Sequence, residues 1–281
     1  MEQIDLHIHT TASDGTDTPE AVVQAAARLG LRAIAITDHD TTDGVERAQA
    51  AGAAAGIEVV RGIEISTDYE GRDVHILGYF FRPDTKEPED VTQWSRNERQ
   101  ARNLRMIEAM RTDGIDISAE QLAEAHPGAV LGRPHMAQRL MELGMVGSVE
   151  EAFAKYLSPG KKYYASRRRI PMESAIEKIR QAGGVASAAH PLQYRFSDDD
   201  RLRWLRTARD AGCGAMEVFY SGYTPQQREM LMQTARQLGF ALSGGSDYHG
   251  TVKPHISLGT GTDGTLAVPY ELLEKLRALC P

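Results

Sequence analysis

Short apolar runs alternate with helical patterns along most of this chain, and that alternation restricts it to folds built on a parallel sheet. The run 4–10 leads to a helix opening at Thr18-Pro19-Glu20, with Thr18 as N-cap and Pro19 at the first helical position. That helix stops at Gly30. The run 32–37 precedes an alanine-rich helix over 44–55. Segments 58–65 and 73–81 read as neighbouring strands joined by the turn Glu70-Gly71-Arg72. In the C-terminal half, helical patterns over 172–182, 199–211 and 225–238 each feed a strand, at 185–189, 215–220 and 240–246. A chain of 281 residues suits one barrel with additions, since such barrels run to ~250 residues. From about 88 to about 166 the pattern breaks into helices only, over 91–111, 119–125, 132–141 and 149–156. This stretch reads as a helical insertion over the barrel mouth. The expected organisation is one barrel domain over 1–281, because the candidate ligands lie on both sides of the insertion.

The ends of the runs carry the chemistry. The first contains Asp5-Leu6-His7-Ile8-His9, and residues two apart in a strand share a face, so His7 and His9 project together. Asp247-Tyr248-His249 repeats the spacing after the last run. Asp38-His39, Glu64, His75 and His190 stand at other strand ends. A lone histidine is usually a surface or core residue, and His126 and His255 are left under that reading. Imidazoles and carboxylates gathered from several strand ends are what a cluster of divalent metals needs. They also lie where a barrel places its active site.

Composition narrows the partners. A net charge of −7 argues against coating long nucleic acid by charge alone, although a local basic pocket remains compatible with it. Cys213 and Cys280 make no disulfide framework, so a reducing compartment is expected. The N-terminus runs directly into a strand, and no apolar stretch approaches ~18 residues. The expectation is a cytoplasmic protein with no membrane partner.

The segments Asp5-Leu6-His7-Ile8-His9-Thr10, Thr37-Asp38-His39-Asp40, Gly62-Ile63-Glu64, Ala189-His190-Pro191 and Gly245-Ser246-Asp247-Tyr248-His249 resemble the polymerase and histidinol phosphatase (PHP) family. The resemblance covers the barrel portion. It implies an α/β fold, a distorted (β/α)7 TIM-like barrel, with two or three divalent metals and hydrolysis of phosphoesters. Carried over residue by residue, it makes His7, His9, Asp14, His39, Glu64, His75, His190, Asp247 and His249 the metal ligands. One division places His7, His9, Glu64 and Asp247 on one ion and Asp14, His39 and His249 on a second. Glu64 then bridges to a third, held by His75 and His190. Many members have histidine where this chain has Asp14. A carboxylate is harder, which favours manganese, or magnesium, over zinc. Asp14 either binds metal or acts on substrate, and His39 also faces the substrate. Asp38 and Asp40 either orient ligands or are solvated.

Metals alone do not choose a substrate, so the basic residues matter next. Arg99, Arg102 and Arg105 recur every three residues with Asn103 beside them, either as a grip or as a solvated face paired with Glu98 and Glu108. Gly132-Arg133-Pro134-His135 opens a helix whose N-terminus suits an anion. Arg167-Arg168-Arg169 reads as a solvated charge run, and Arg195 follows His190 closely enough to reach the same pocket. Arginine forks match phosphate oxygens, so Arg102, Asn103, Arg105, Arg133, His135 and Arg195 are candidates to bind a substrate with more than one phosphate. Ser13, Ser66 and Ser246 lack the base-and-orienter arrangement of a nucleophile. In-line attack by an activated water is therefore expected, with Asp14, His39, Asp247 and His249 in catalytic roles. His135, or a water, would protonate the leaving oxygen. The insertion with Gly-Arg-Pro-His is similar to that of the family's 3′,5′-nucleoside bisphosphate phosphatases, some of which trim short 5′-phosphorylated RNA. This implies removal of a nucleotide's 3′-phosphate. The alternatives are histidinol phosphate or another small phosphomonoester. In other classes they are a metal-dependent amidohydrolase, for which no strand end offers a bridging lysine, or a regulatory metal-binding module.

Overall fold

The computed structural model describes residues 2–85 and 87–280; Met1, Lys86 and Pro281 of the expected 1–281 unit lie outside the described residues. The chain begins β1 (Gln3–Asp5), α1 (Pro19–Arg28), β2 (Ala33–Ile36), α2 (Val45–Ala55), β3 (Glu58–Tyr69) and β4 (Arg72–Tyr79). The insertion follows as α3 (Glu87–Thr112), α4 (Ala119–Ala125), α5 (Arg133–Glu142) and α6 (Val149–Ala152), the last running into a π-helical turn, Phe153–Leu157. The chain returns through β5 (Ile170–Pro171), α7 (Met172–Gln181), β6 (Val185–Ala188), α8 (Asp198–Asp210), β7 (Ala215–Tyr220), α9 (Pro225–Leu238) and β8 (Ala241–Gly245). Short strands β9 (Ile256–Ser257), β10 (Gly261–Thr262) and β11 (Val268–Pro269) precede α10 (Glu271–Arg277). Helix starts follow local chemistry: Thr18 caps α1 by accepting from the Ala21 N–H at 3.2 Å, with Pro19 as the first helical residue.

The main sheet runs β11-β1-β2-β3-β4-β6-β7-β8. Pairings β1–β2, β2–β3, β6–β7 and β7–β8 are parallel, as the alternation implies. The sheet departs from parallel pairing at β11, antiparallel to β1, and at β4, which is antiparallel to both β3 and β6. Only Glu70 and Gly71 separate β3 from β4, and so short a link joins only antiparallel strands. The reversal puts His75, early in β4, opposite Ser66 and beside Glu64 rather than at a far end. This hairpin is the distortion of the barrel.

The sheet closes where the first and last strands run past their regular ends. The Leu6 N–H donates to Gly244, the Asp247 N–H to His7 and the His9 N–H to Tyr248, at 3.1, 2.8 and 2.9 Å. Asp5 staples the same seam from inside, accepting from the Ser246 and Gly259 N–H groups at 2.8 Å each. A Cβ on Gly245 would stand 2.3 Å from the His7 nitrogen, so only glycine allows this approach. Closure and ligand placement are the same event.

The insertion has its own apolar centre, including Met106, Met110, Met136 and Leu140, all fully buried. Each such side chain stabilises the packing by roughly 1.5–3 kcal/mol. It is fastened to the barrel by Asp40, whose carboxylate accepts from Arg99 of α3 and from Arg167, 3.4 Å away on the return segment. No helix among the described residues is long and apolar enough to cross a membrane.

Candidate metal centre

Six of the nine histidines (His7, His9, His39, His75, His190 and His249) gather at one end of the barrel with Asp14, Glu64 and Asp247. Glu64 is fully interior and its two oxygens divide the site. Its Oε2 faces His7, His9 and His39 at 3.4, 3.2 and 3.0 Å, and its Oε1 faces His75 and His190 at 2.9 Å each. Asp247 Oδ1 stands 3.5 Å from His7 and 3.4 Å from His9. Asp14 lies 3.4 Å from His249, 3.7 Å from His9 and 4.0 Å from His39. The donor atoms fall into overlapping sets, among them His9-Asp14-His39-His249, His7-Glu64-His190, His7-His9-Asp247 and His39-Glu64-His75.

Whether metal ions suit this set is tested by what the nitrogens lack. His7 Nε2, both ring nitrogens of His9 and Nδ1 of His39 are buried without a hydrogen-bond partner, although carboxylates surround them. Buried polar atoms are ordinarily satisfied, and orphans converging on shared carboxylates are what cations would satisfy. The residues fit divalent metal ions.

The charges point the same way. Burial alone would raise the carboxylates Asp14, Glu64 and Asp247, but the surrounding imidazoles, and Lys253 beside Asp247, hold all three well below the usual carboxylate range. Burial works against charge on His9 and His75 too, yet Asp247 and Glu64 lift His9 to about 9, and Glu64 and Asp73 lift His75 to about 10. Metal ions bound there would compete with protons on His9 and His75. Backbone strain concentrates here as well: Asp40, His190 and Asp247 have φ of 54°, 29° and 58°, sparsely populated for residues with a Cβ.

Several positioning residues escaped the sequence reading. Glu217 in β7 faces His7 Nδ1 at 3.0 Å and accepts from the His190 N–H at 2.8 Å, fixing two of the clustered histidines at once. A carboxylate inside the apolar run Ala215-Met216-Glu217-Val218-Phe219 was the available signal. Tyr220 and Lys253 both donate to Asp247 Oδ2, at 2.6 Å each, leaving Oδ1 for the histidines. Asp38 accepts from the Thr10 N–H and from the Ser13 and Thr10 hydroxyls, which makes it an orienter of the loop carrying Asp14.

A cavity of about 810 Å³ opens over Asp14, His39, His75 and His249 and extends to Arg102, Arg133, Arg167 and Arg195. Other candidates lie elsewhere. Asn103 bonds Arg102 and the Leu131 carbonyl and lines a neighbouring cleft. Arg105 is exposed and donates to the Ser166 carbonyl at 2.7 Å. His135 accepts the Gly132 N–H through Nδ1 at 2.9 Å, and burial pushes it down to about 4, so it is neutral at pH 7. Neither Arg105 nor His135 lines the main cavity. Arg99 and Arg167 are engaged by Asp40. The reading of 167–169 as a solvated run holds for Arg168 alone, since Arg167 and Arg169 are buried against Asp40 and Asp73. His255, read as bland, lines the cavity.

The PHP domain model matches residues 5–177, more than half of the chain. The chain belongs to the PHP family. A 5′-3′ exoribonuclease from Haemophilus influenzae is 34% identical over 252 residues, covering 88% of this chain and 90% of the relative. A 3′,5′-nucleoside bisphosphate phosphatase from Chromobacterium violaceum is 33% identical over 257 residues, covering 89% and 88%. Among solved structures, a candidate metal-dependent phosphoesterase from Bifidobacterium adolescentis superposes with a TM-score of 0.88 at 31% identity, covering 99% and 96%. This PHP chain is a metal-dependent phosphoesterase on a TIM-like barrel.

Proposed function

We propose that this PHP enzyme removes the 3′-phosphate from nucleoside 3′,5′-bisphosphates, giving nucleoside 5′-monophosphates. The observation that carries the reading is a pair of arginines without carboxylate partners among the described residues, in the cavity that also opens over the histidine and carboxylate cluster. Arg102 is 3% exposed, donates only through Nε to Asn103, and has no carboxylate partner among the described residues. Burial and the charges of Arg99, Arg133 and Arg167 push its pKa well below that of a free guanidinium. Arg133 donates to the Leu157 carbonyl, rests over the rings of Phe153 and Tyr164, and has no ion pair among the described residues. Buried cations without counter-ions are costly, and a substrate phosphate supplies the missing charge.

His7, His9, Asp14, His39, Glu64, His75, His190, Asp247 and His249 would hold the ions, with Glu64 shared between them. Divalent ions there would supply Lewis acidity and a water acidic enough to attack phosphorus near neutral pH. The harder Asp14 oxygen favours manganese over zinc at its position. Arg102 and Arg133 hold the distant phosphate and so orient the scissile one. Lys253, in the cavity wall and on Asp247, is better placed than His135 to donate to the leaving oxygen. A second reading, trimming of short 5′-phosphorylated RNA at the same site, draws support from the exposed Arg195 in the cavity lining and from the exoribonuclease likeness.

The test is release of phosphate and nucleotide by manganese-loaded enzyme from bisphosphates, histidinol phosphate, aryl phosphate and short 5′-phosphorylated oligonucleotides. The reading requires bisphosphates to give the highest kcat/KM among the phosphomonoesters. Preference for histidinol phosphate would overturn it.

A further inference from the structure

The main cavity has a third kind of lining, apolar and distinct from the metal cluster and the arginines. Val149, Phe153 and Ala154 contribute apolar surface from the insertion, and Val252 and Ile256 contribute it from the segment after β8. Phe153 is half-buried: part of its ring packs on the insertion's core, and the rest lines the cavity. It opens the π-helical turn Phe153–Leu157, in which the Ser158 N–H reaches back five residues to the Phe153 carbonyl at 3.1 Å. Such wide turns occur disproportionately at functional sites. The Arg133 guanidinium stands 5.3 Å from the Phe153 ring centroid, so the aromatic wall adjoins the cation assigned to the second phosphate.

A ligand complementary to this sequence of surfaces has one phosphate at the metal cluster, a second at the arginines, and a flat apolar part against Phe153. A sugar bisphosphate lacks the last part and a nucleoside bisphosphate has it. Resting on the bisphosphate reading above, we propose that Phe153 is the stacking platform for the substrate's nucleobase, with Val252 and Ile256 completing the slot. Every base has a π-face, so recognition by stacking accepts purines and pyrimidines alike.

The experiment compares adenosine, cytidine and uridine 3′,5′-bisphosphates with ribose 3,5-bisphosphate, which has no base. KM and kcat are measured for the wild type, Phe153→Leu and Phe153→Trp. Leucine keeps the apolar volume that packs on the insertion but removes the ring face, and tryptophan restores a ring. The expected result is that Phe153→Leu raises KM for nucleoside bisphosphates about tenfold more than for ribose bisphosphate, with Phe153→Trp recovering most of the difference. Because both substrates are measured on one preparation, this ratio does not depend on how much of the variant is folded. Equal losses on both substrates, or none, would overturn the platform. A wild type that binds ribose bisphosphate as tightly as the nucleosides would overturn it too, while leaving the bisphosphate reading intact. A wild type that cleaves aryl phosphate but no bisphosphate would sink both.

Discussion

The metal cluster and the arginine-bearing insertion are built by different rules. In the cluster most side chains stand on a barrel strand or within a few residues of its end, so the backbone of the barrel aims them; Glu64 is met by histidines from four other places in the fold without any of them needing a long side chain. On α3, three arginines at three-residue spacing meet three fates. Arg99 is neutralised by Asp40, Arg102 enters the cavity with no carboxylate partner among the described residues, and Arg105 stays outside on a carbonyl. Three residues turn an α-helix by about 300°, so the stripe drifts about 60° at each step and walks off the cavity. Backbone-aimed residues can be read from spacing; long side chains on a helix are sorted by their partners.

The largest effect should come from breaking the cluster. His9→Ala or Asp247→Ala removes a donor but leaves the apolar strand interiors untouched, so the fold should survive. Lost Lewis-acid stabilisation amounts to several kcal/mol, and activity should fall about a thousandfold or more. Full turnover by a folded variant stripped of metal would remove the metal mechanism altogether.

Asp40 lies where the two regions meet. Asp40→Asn leaves Arg99 and Arg167 buried without their counter-charge and should destabilise the protein by about 3–5 kcal/mol, measured by chemical unfolding. The sign of its pH dependence follows from the lowered Asp40 pKa, caused by the two arginines against the opposing effect of burial. Between the folded and unfolded pKa values the unfolded chain binds more protons. The contribution is therefore present at neutral pH and lost as pH falls below about 4. The gap between wild type and Asp40→Asn should narrow over that acidic range. A gap that stayed constant would mean the carboxylate charge is not what fastens the insertion.

Much of the cluster was legible because period-two strands and strand-end placement are local signals: His7 and His9 share a face by spacing alone. Asp14 is on a loop and came only through family resemblance. The direction of β4 followed from its two-residue turn, yet alternation elsewhere masked it. Glu217 carried a signal that went unused, a charge within a buried strand. Lys253 carried none, because it reaches Asp247 from a loop whose path only closure of the barrel defines. His135 looked like a helix-start anion ligand, but its Nδ1 accepts from the Gly132 N–H and its ring does not line the main cavity.

Within the insertion, Arg102→Ala should be the sharpest probe. A hydrogen bond to a charged group contributes about 1.5–3 kcal/mol, so kcat/KM for a nucleoside bisphosphate should fall roughly 10- to 150-fold, well beyond the loss on an aryl phosphate. Parallel losses would assign Arg102 to the fold rather than to the second phosphate. Back in the cluster, Asp14→His should shift the metal ranking towards zinc, read from metal content and from activity after reconstitution. An unchanged ranking would move Asp14 from the metal to the substrate.

The smallest expected effect completes the comparison along α3. Arg105 shares the spacing of Arg102 but is exposed, and its contact is a single donated hydrogen bond to the Ser166 carbonyl. Surface substitutions of this kind usually change stability by no more than about 0.5 kcal/mol. Arg105→Ala should therefore leave kcat/KM for bisphosphates within about twofold of wild type, while Arg102→Ala, one helical step away, loses at least tenfold. If Arg105→Ala instead costs as much as Arg102→Ala, and does so on bisphosphates but not on aryl phosphate, then Arg105 swings from Ser166 to the substrate on binding. The insertion would then close over the cavity on substrate binding, and the contrast between a backbone-aimed cluster and a partner-sorted cap would break down at Arg105.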